Sequence, residues 1–362
     1  MKYPSIILSL IVLVVITLSS CDKEPETVYK YDPKVITYDN LQKMSAFIKK
    51  NETKFQNFTI DGASGGVITS SNGVKYYIQP YAFTDLSGTP ATGPVAISIK
   101  EIFKASEMIL SDKPTLTTTG GILESYGEFF VKAQQNNKKL IFRVDSGQIN
   151  NAIQIAMRNP NKMQQNIPLW EGDTIIAYTQ SGHNFENTFV TKTTTIPLMK
   201  GMDWKALSGK SATANPDTIR FALPELFKWA NCDILGGAPS GNTTVLCYFE
   251  NHFNLESGSG YQGIQGSMCF FKPESKSTAV KLYNTIFDAP AGKEGFLSYQ
   301  NSMPIGLKGT FIVISVVDEK FYCQTKAVTI DAPAAGKNYV AYSFQLKEVT
   351  EAELLALING LN

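Results

Sequence analysis

The sequence has few of the side chains on which most catalytic sites depend. It contains only two histidines, His183 and His252, among 362 residues. Any mechanism that needs imidazole as a base or a metal ligand therefore has to use one of them. His183 lies in a predicted loop, and His252 lies at the end of a predicted strand. We interpret both as surface or edge histidines, and we expect no catalytic residue, no bound metal and no cofactor.

The chain also lacks an excess of either charge. It has 33 basic and 32 acidic residues, and residues 1–21 contain one basic residue, Lys2, and no acid. The rest of the chain therefore carries 32 charges of each sign and a net charge of zero. Phosphate binding depends on clustered lysine and arginine, so nucleic acid is not an expected partner, and neither is a polybasic membrane patch.

Recognisable catalytic motifs are absent as well. The segment from Gly236 to Thr243 has the glycine spacing of a phosphate-binding loop, but Asn242 occupies the position of the essential lysine. The aspartates never form the Asp-x-Asp-x-Asp pattern of a calcium loop. The two carboxylates of a glycosidase can lie far apart in a chain, so an unrecognised hydrolase stays as an alternative.

What the sequence does have is an apolar run from Ile6 to Leu18 that ends in Ser19-Ser20-Cys21. A run of this length is typical of a signal peptide and is too short to cross a bilayer as a helix. The end of the run resembles the bacterial lipobox, which implies that residues 1–21 are a lipoprotein signal peptide. Cys21 would then carry fatty acyl chains such as palmitate, which would anchor the protein in the outer membrane.

Residues 22–37 are polar and have no periodicity, so they are predicted to be a tether. The acidic run Asp22-Lys23-Glu24-Pro25-Glu26 resembles the signal that sends Bacteroidetes lipoproteins to the outer face of the outer membrane. This resemblance implies that the protein faces the cell exterior. A plain solvated linker, with the protein on the periplasmic side, is the alternative.

The folded part is predicted to be all-β, with two antiparallel β-sandwich-like domains, a short N-terminal helix and a C-terminal helix. Many short alternating segments are separated by Gly, Pro and Asn turns, as in sandwiches. A first helix is predicted from Asp39 to Asn51, and a last helix from Glu351 to Asn359 with Thr350 as its cap. Asn72-Gly73 predicts a tight hairpin turn.

The predicted domains follow from length and composition. Residues 38–160 would form the N-terminal helix and first sandwich, residues 161–214 a connecting β segment, and residues 215–362 the C-terminal β domain with the last helix. The rule of about 100 to 200 residues per domain favours two domains.

Part of the N-terminal segment is similar to a known module. Gly65-Gly66-Val67-Ile68, Gly93-Pro94-Val95 and Thr119-Gly120-Gly121 resemble the β-sandwich found in netrin receptors and ankyrins, over about residues 60–157. Related modules occur in Bacteroidetes surface lipoproteins, and Trp229-Ala230-Asn231-Cys232-Asp233 resembles a segment that recurs in them. The resemblance implies a structural or interaction role and no catalytic residues.

Several residues are candidates for modification or binding. The four cysteines that follow Cys21 permit two disulfides in three connectivities, with buried free thiols as the alternative; they are Cys232, Cys247, Cys269 and Cys323. Trp170 and Trp204 are candidates for stacking on a glycan. Thr174 and Thr218 each follow an aspartate and precede an isoleucine, as in Bacteroidetes O-glycosylation sites.

These observations favour a non-catalytic, lipid-anchored cell-surface protein with a binding or scaffolding role at the outer membrane. Its expected partners are the membrane, through the anchor, and a glycan or another surface protein. A glycan-binding lipoprotein of a nutrient uptake system is the first alternative, and an unrecognised hydrolase is the second.

The anchor is tested by replacing Cys21 with alanine. Without the acyl-accepting thiol, the protein should leave the detergent-rich phase on phase separation or accumulate as an unprocessed precursor. Normal processing of Cys21→Ala with full partitioning into detergent would show that Cys21 is not the anchor.

Overall fold

A computed structural model describes residues 38–143, 151–176, 179–183, 189–193, 198–237, 240–254, 266–286 and 289–362. The signal peptide, the tether and Cys21 lie outside the described residues. The described residues belong to one compact unit, which ends at Asn362. Its helices are α1 (Tyr38–Asn51), α2 (Ala105–Leu110) and α3 (Glu351–Asn359). None of these helices is long and apolar enough to cross a membrane.

The described strands cover most of the chain, and the predicted all-β class is confirmed. The first twelve are β1 (Gln56–Asp61), β2 (Gly66–Thr69), β3 (Lys75–Ile78), β4 (Phe83–Thr84), β5 (Pro94–Ile102), β6 (Leu123–Gln135), β7 (Lys138–Lys139), β8 (Ile141–Phe142), β9 (Ile153–Arg158), β10 (Asn166–Ile176), β11 (Thr179–His183) and β12 (Phe189–Thr193).

The remaining strands are β13 (Leu198–Ala214), β14 (Thr218–Ala222), β15 (Trp229–Leu235), β16 (Asn242–Phe249), β17 (Ser267–Pro273), β18 (Val280–Lys281), β19 (Asn284–Thr285), β20 (Gly295–Leu297), β21 (Met303–Pro304), β22 (Lys308–Val317), β23 (Lys320–Thr329), β24 (Tyr339–Phe344) and β25 (Lys347–Val349).

One large antiparallel sheet dominates the N-terminal half. Its strand order is β1-β5-β6-β15-β10-β13-β14-β9-β3-β2, with β7 added beside β6. Alternate residues of these strands point inward, as in β9, where Ile153, Ile155 and Met157 are buried. Inward side chains from nearly every strand meet in a single cluster, the inner core. The sheet therefore curls around one apolar interior.

The C-terminal half is a sandwich of two five-stranded sheets. One has the order β19-β20-β16-β21 with β24 beside β16, and the other has the order β18-β17-β22-β23-β25. Side chains between the two sheets, such as Phe249, Phe271 and Phe311, form the sandwich core. Short sheets of two strands join β4 to β8 and β11 to β12.

A third cluster, the joint core, connects the two halves. It combines Trp204 and Trp229 of the large sheet with Phe270 and Ile314 of the second C-terminal sheet. All three helices also contribute buried side chains, among them Phe47 of α1. The helices thus fill the space between the two halves and do not form a bundle of their own.

The terminal helices agree with the sequence. Around α3, the Thr350 hydroxyl accepts the Glu353 backbone N–H at 3.2 Å, and the Glu353 carboxylate accepts the Thr350 N–H at 2.7 Å. This reciprocal cap is the one predicted. The hairpin at Asn72-Gly73 also forms between β2 and β3, with Gly73 at a φ of 79°. The short helix α2 was not predicted, because six residues give too short an apolar repeat.

The predicted domain boundaries at residues 160 and 214 do not agree with the strand pairing. β14 pairs with β9, and β15 lies between β6 and β10 in the large sheet. The segment 161–214 is therefore part of this sheet and does not connect two domains. The reason is burial: Ala230 and Cys232 of β15 complete the inner core, so the C-terminal half begins after Leu235.

A pair of leucine substitutions tests the joint core. Leu123 is fully buried there, whereas Leu86 is 79% exposed. Leu123→Ala should lower the free energy of unfolding by about 2–5 kcal/mol, and Leu86→Ala by less than about 0.5 kcal/mol. Calorimetry measures the free energy of unfolding of both variants. Because the joint core holds the halves together, Leu123→Ala should still unfold in one transition, and two separate transitions would contradict this account.

Candidate functional site

Two carboxyl groups with strongly raised pKa values lie on the outer face of the large sheet, inside the joint core. The pairing of β6 with β15 places Glu128 opposite Asn231, and Ser125 opposite Asp233. Residues directly opposite each other share a face of a sheet, and Trp229 on the same face belongs to the joint core. Four polar side chains are thus brought together in an apolar environment.

Both carboxyl groups of this network are fully buried, at 0% exposure. Burial raises the pKa of Glu128 well above its usual value, and the neighbouring charge of Asp233 raises it further. Burial also raises the pKa of Asp233, although the Ser125 hydroxyl, the Tyr126 N–H and the Asn231 amide oppose the shift. Among the described residues, neither side-chain oxygen of Glu128 has a hydrogen-bond partner. The protonated, neutral form of Glu128 is therefore favoured.

The buried Lys281 and the half-buried Lys113 complete the network. Lys281 forms an ion pair with Asp112 at 2.6 Å, and both side chains are buried. Burial lowers the pKa of Lys113, while the carboxylates of Asp112 and Glu128 act in the opposite direction. Opposite charges thus compensate each other inside the joint core. Since Glu128 and Asp233 have no contact with solvent, a substrate could reach them only if the two halves separated.

The structure shows the alternative of buried free thiols and not the disulfides that the sequence permits. Cys232, Cys247, Cys269 and Cys323 are all free and buried. Cys232 lies in the inner core and Cys323 in the joint core, whereas Cys247 and Cys269 share the sandwich core. Burial raises the pKa of Cys247 well above its usual value, and the adjacent Cys269 adds to the shift. The cysteines behave as small apolar side chains, which makes them unreactive.

The glycan-stacking interpretation of Trp204 is wrong, because Trp204 is completely buried in the joint core. Its indole N–H donates to the Pro114 carbonyl at 2.9 Å. Trp170 is half-buried against the same core, and its indole N–H donates to the Asp233 carbonyl at 3.0 Å. Burial of a large ring with a satisfied N–H is the more stable arrangement for both.

The other predicted site residues are dispersed. Thr218 is half-buried, and its hydroxyl donates to Asn215 at 3.0 Å. The side chains of Thr174 and His183 lie outside the described residues, so O-glycosylation of either threonine stays a prediction. His252 is exposed, as expected, and stacks on Tyr322 with ring centroids 3.8 Å apart.

A candidate binding surface that the sequence did not predict lies on the uncovered outer face of the large sheet. Residues from adjacent strands form a continuous row from β13 to β3, in the order Thr213, Arg220, Ala156, Lys75. Arg158 lies two residues along β9 from Ala156 and is also exposed. Arg220, Lys75 and Arg158 thus surround a small alanine, and we call these three cations the basic face.

An open groove of about 730 Å³ adjoins the basic face at Arg220. It forms because β13 and β14 pair only at Thr213–Arg220 and Ala214–Ile219. Beyond these pairs the strands diverge, and Lys210 and Ser211 line one wall of the opening. The apolar residues beneath the groove, among them Leu169 and Phe221, stay nearly fully buried.

Sequence analysis missed this surface because its cations come from distant strands. Arg158 and Arg220 are two of the three arginines in the chain, and no run of basic residues marks either of them. Alternation within β3, β9 and β14 does place Lys75, Arg158 and Arg220 on solvent faces. Only the strand order makes these residues neighbours, and strand order is not encoded locally.

Comparison with protein-family models, with curated proteins and with solved structures finds no match. The geometry and chemistry of the chain itself must therefore support any functional assignment.

The buried carboxyl network predicts an unusual pH dependence. A folded-state pKa above that of the unfolded chain means that the folded protein holds the extra proton, so its stability falls as pH rises from about 4.3. Glu128→Gln has nearly the same shape and cannot ionise. At pH 7 it should unfold with a free energy higher than that of the parent by on the order of 1 kcal/mol, and its stability should depend less on pH.

The control is Glu250→Gln, because Glu250 is an exposed glutamate. Urea unfolding of the three proteins between pH 4 and pH 8 provides the comparison. A Glu128→Gln protein less stable than the parent at pH 7, with an unchanged pH profile, would mean that Glu128 is ionised in the folded state.

Proposed function

We propose that this chain is a non-catalytic, lipid-anchored cell-surface protein of the outer membrane that binds a ligand or a partner through the basic face and groove. We further propose that it is a lipoprotein of the Bacteroidetes type, with a module similar to the β-sandwich of netrin receptors and ankyrins. The main supporting observation is the groove, whose lining carries the cations Lys210 and Arg220 and no acidic side chain.

The non-catalytic role is supported by where the reactive groups lie. The carboxyl groups with raised pKa, Glu128 and Asp233, are enclosed in the joint core. Within the described part of the chain, no three acidic, histidine or cysteine side chains form a metal-binding group. A catalytic acid has to touch its substrate, and these two do not meet that condition.

The groove also favours the alternative of a glycan-binding lipoprotein in a nutrient uptake system. Its walls carry amide and hydroxyl side chains, such as Gln154 and Ser211. The hydroxyl groups of a sugar can hydrogen-bond with such side chains. The hydrolase alternative gains no support from a particular residue.

Protease treatment of intact cells tests the proposed location. If the protein faces the exterior, added protease should remove the folded region from unbroken cells, while a soluble periplasmic marker stays intact. Resistance in whole cells, followed by cleavage after lysis, would place the protein on the periplasmic side.

An activity screen tests the proposed absence of catalysis. The full-length protein, purified in detergent, should show no turnover in a broad screen of glycoside, ester and peptide substrates. Turnover that disappears in an Asp233→Asn variant with an unchanged melting temperature would identify the buried carboxyls as catalytic and refute the proposal.

A further inference from the structure

One ion pair in the interior of the protein is enclosed on both sides. The side chains of Lys281 and Asp112 are only 2% and 5% exposed, and the lysine Nζ lies 2.6 Å from the aspartate Oδ1. A surface pair such as Lys320 and Glu348 has the same combination of charges but is 55% exposed on both sides. Water hydrates the charges of the surface pair, whereas the interior pair has lost that hydration. The two pairs therefore differ in the chemistry that is open to them.

Backbone hydrogen bonds hold the two chain segments of this pair side by side. The Thr115 N–H donates to the Ala279 carbonyl at 2.8 Å, and the Ala279 N–H donates to the Thr115 hydroxyl at 3.1 Å. Lys281 belongs to β18, two residues after Ala279, and β18 pairs with β17. Asp112 lies three residues before Thr115, and its N–H donates to the Ile109 carbonyl at 3.2 Å. The two side chains therefore start from fixed positions and need little reorganisation to stay in contact.

The contact between Lys281 and Asp112 has the geometry of an amine that is placed to attack a carboxyl carbon. A nitrogen this close to a carboxyl oxygen lies about 3–3.5 Å from the carbon, which is the range in which bound groups react. Two groups held in this way behave as if their concentration were about 10⁵–10⁸ M. Proximity can therefore replace much of the activation that formation of an amide bond otherwise requires.

The exclusion of water favours condensation of the two groups. The rings of Phe270 and Tyr283 have their centroids 5.7 Å and 5.4 Å from the Lys281 Nζ. In such surroundings both ions have lost hydration, so a proton can pass from the ammonium to the carboxylate at little cost. The products of this transfer are a neutral amine, which is the nucleophile, and a carboxylic acid. Hydrolysis of the resulting amide would need a water molecule to enter the same enclosed place.

A second lysine lies next to the reacting carboxyl group. The Lys113 ammonium donates to the Asp112 backbone carbonyl at 3.3 Å, and burial lowers the pKa of Lys113. A lysine with a lowered pKa gives up and takes back its proton more readily than one in water. Lys113 can therefore carry a proton from the attacking nitrogen to the departing oxygen.

We propose that Lys281 and Asp112 condense into an amide bond that cross-links the two halves of the protein. The Lys281 nitrogen bonds to the Asp112 Cγ, one carboxyl oxygen departs, and two protons of the ammonium leave with it as water. No electrons are gained or lost, so the step needs no oxidant or reductant. Asp112 lies between α2 and β6, and Lys281 lies in the second C-terminal sheet. The bond thus makes the contact between the halves covalent, whatever ligand the protein binds.

Mass spectrometry of the full-length protein, denatured without heating and digested, tests the amide bond. The digest should contain a branched peptide in which the segments of Lys281 and Asp112 are joined with loss of one water. Lys281→Met and Asp112→Ala should each abolish this peptide. Asp112→Asn should still form it, but with loss of ammonia in place of water. In pulse-labelled cells, Lys113→Met should delay the appearance of the branched peptide after synthesis.

The matched control within the same digest is the surface pair of Lys320 and Glu348, whose peptides should appear separately. Recovery of Lys281 and Asp112 only in separate, unmodified peptides of the parent protein would refute the cross-link, even if the variants fail to fold. Loss of water from Asp112→Asn would also contradict the proposal, because another carboxyl group would then be the one that reacts. An unchanged rate in Lys113→Met would exclude Lys113 as the proton carrier.

Discussion

The contact on which the rest of the structure depends is the joint core, where the two halves bury apolar surface against each other. The sheet that contains β17 and β22 is covered on both faces. Met268 and Phe270 face the joint core, whereas Cys269 and Phe271 face the sandwich core. A strand buried on both sides has no solvent face, so its sequence loses the alternation of an ordinary sandwich strand. This middle sheet cannot keep its packing without the large sheet and the helices.

Buried charge in the joint core opposes the stability that this packing provides. The pair of Lys281 and Asp112 loses hydration on both partners, and such pairs are often no more stable than apolar side chains of the same size. Glu128 avoids part of this cost because the rise in its pKa favours the neutral form. The polar network contributes directionality instead, since the Ser125 hydroxyl can donate to Asn231 only when β6 and β15 pair in this register.

Local signals in the sequence predicted local structure well. Thr350 and Glu353 indicated the start of α3, and Asn72-Gly73 indicated the hairpin of β2 and β3, because each interaction spans only a few residues. Strands that pair although they lie far apart in the chain left no local signal in the sequence. β15 is separated from β6 by more than ninety residues, and its insertion into the large sheet determined which tryptophans are buried. Trp204 was a candidate for stacking on a glycan, yet long-range packing buries both it and the neighbouring Asp203.

The joint core also determines which part of the large sheet remains available for function. Helices and the middle sheet cover the outer face of β5, β6, β15 and β10, whereas the outer face of β14, β9 and β3 carries exposed Arg220, Arg158 and Lys75. A chain with nearly balanced charges thus brings three cations together on one face through strand order. Electrostatic attraction depends on this local arrangement and decays within about 8–10 Å at physiological salt. Overall charge is therefore a poor guide to the partners of a large sheet with one covered and one open half.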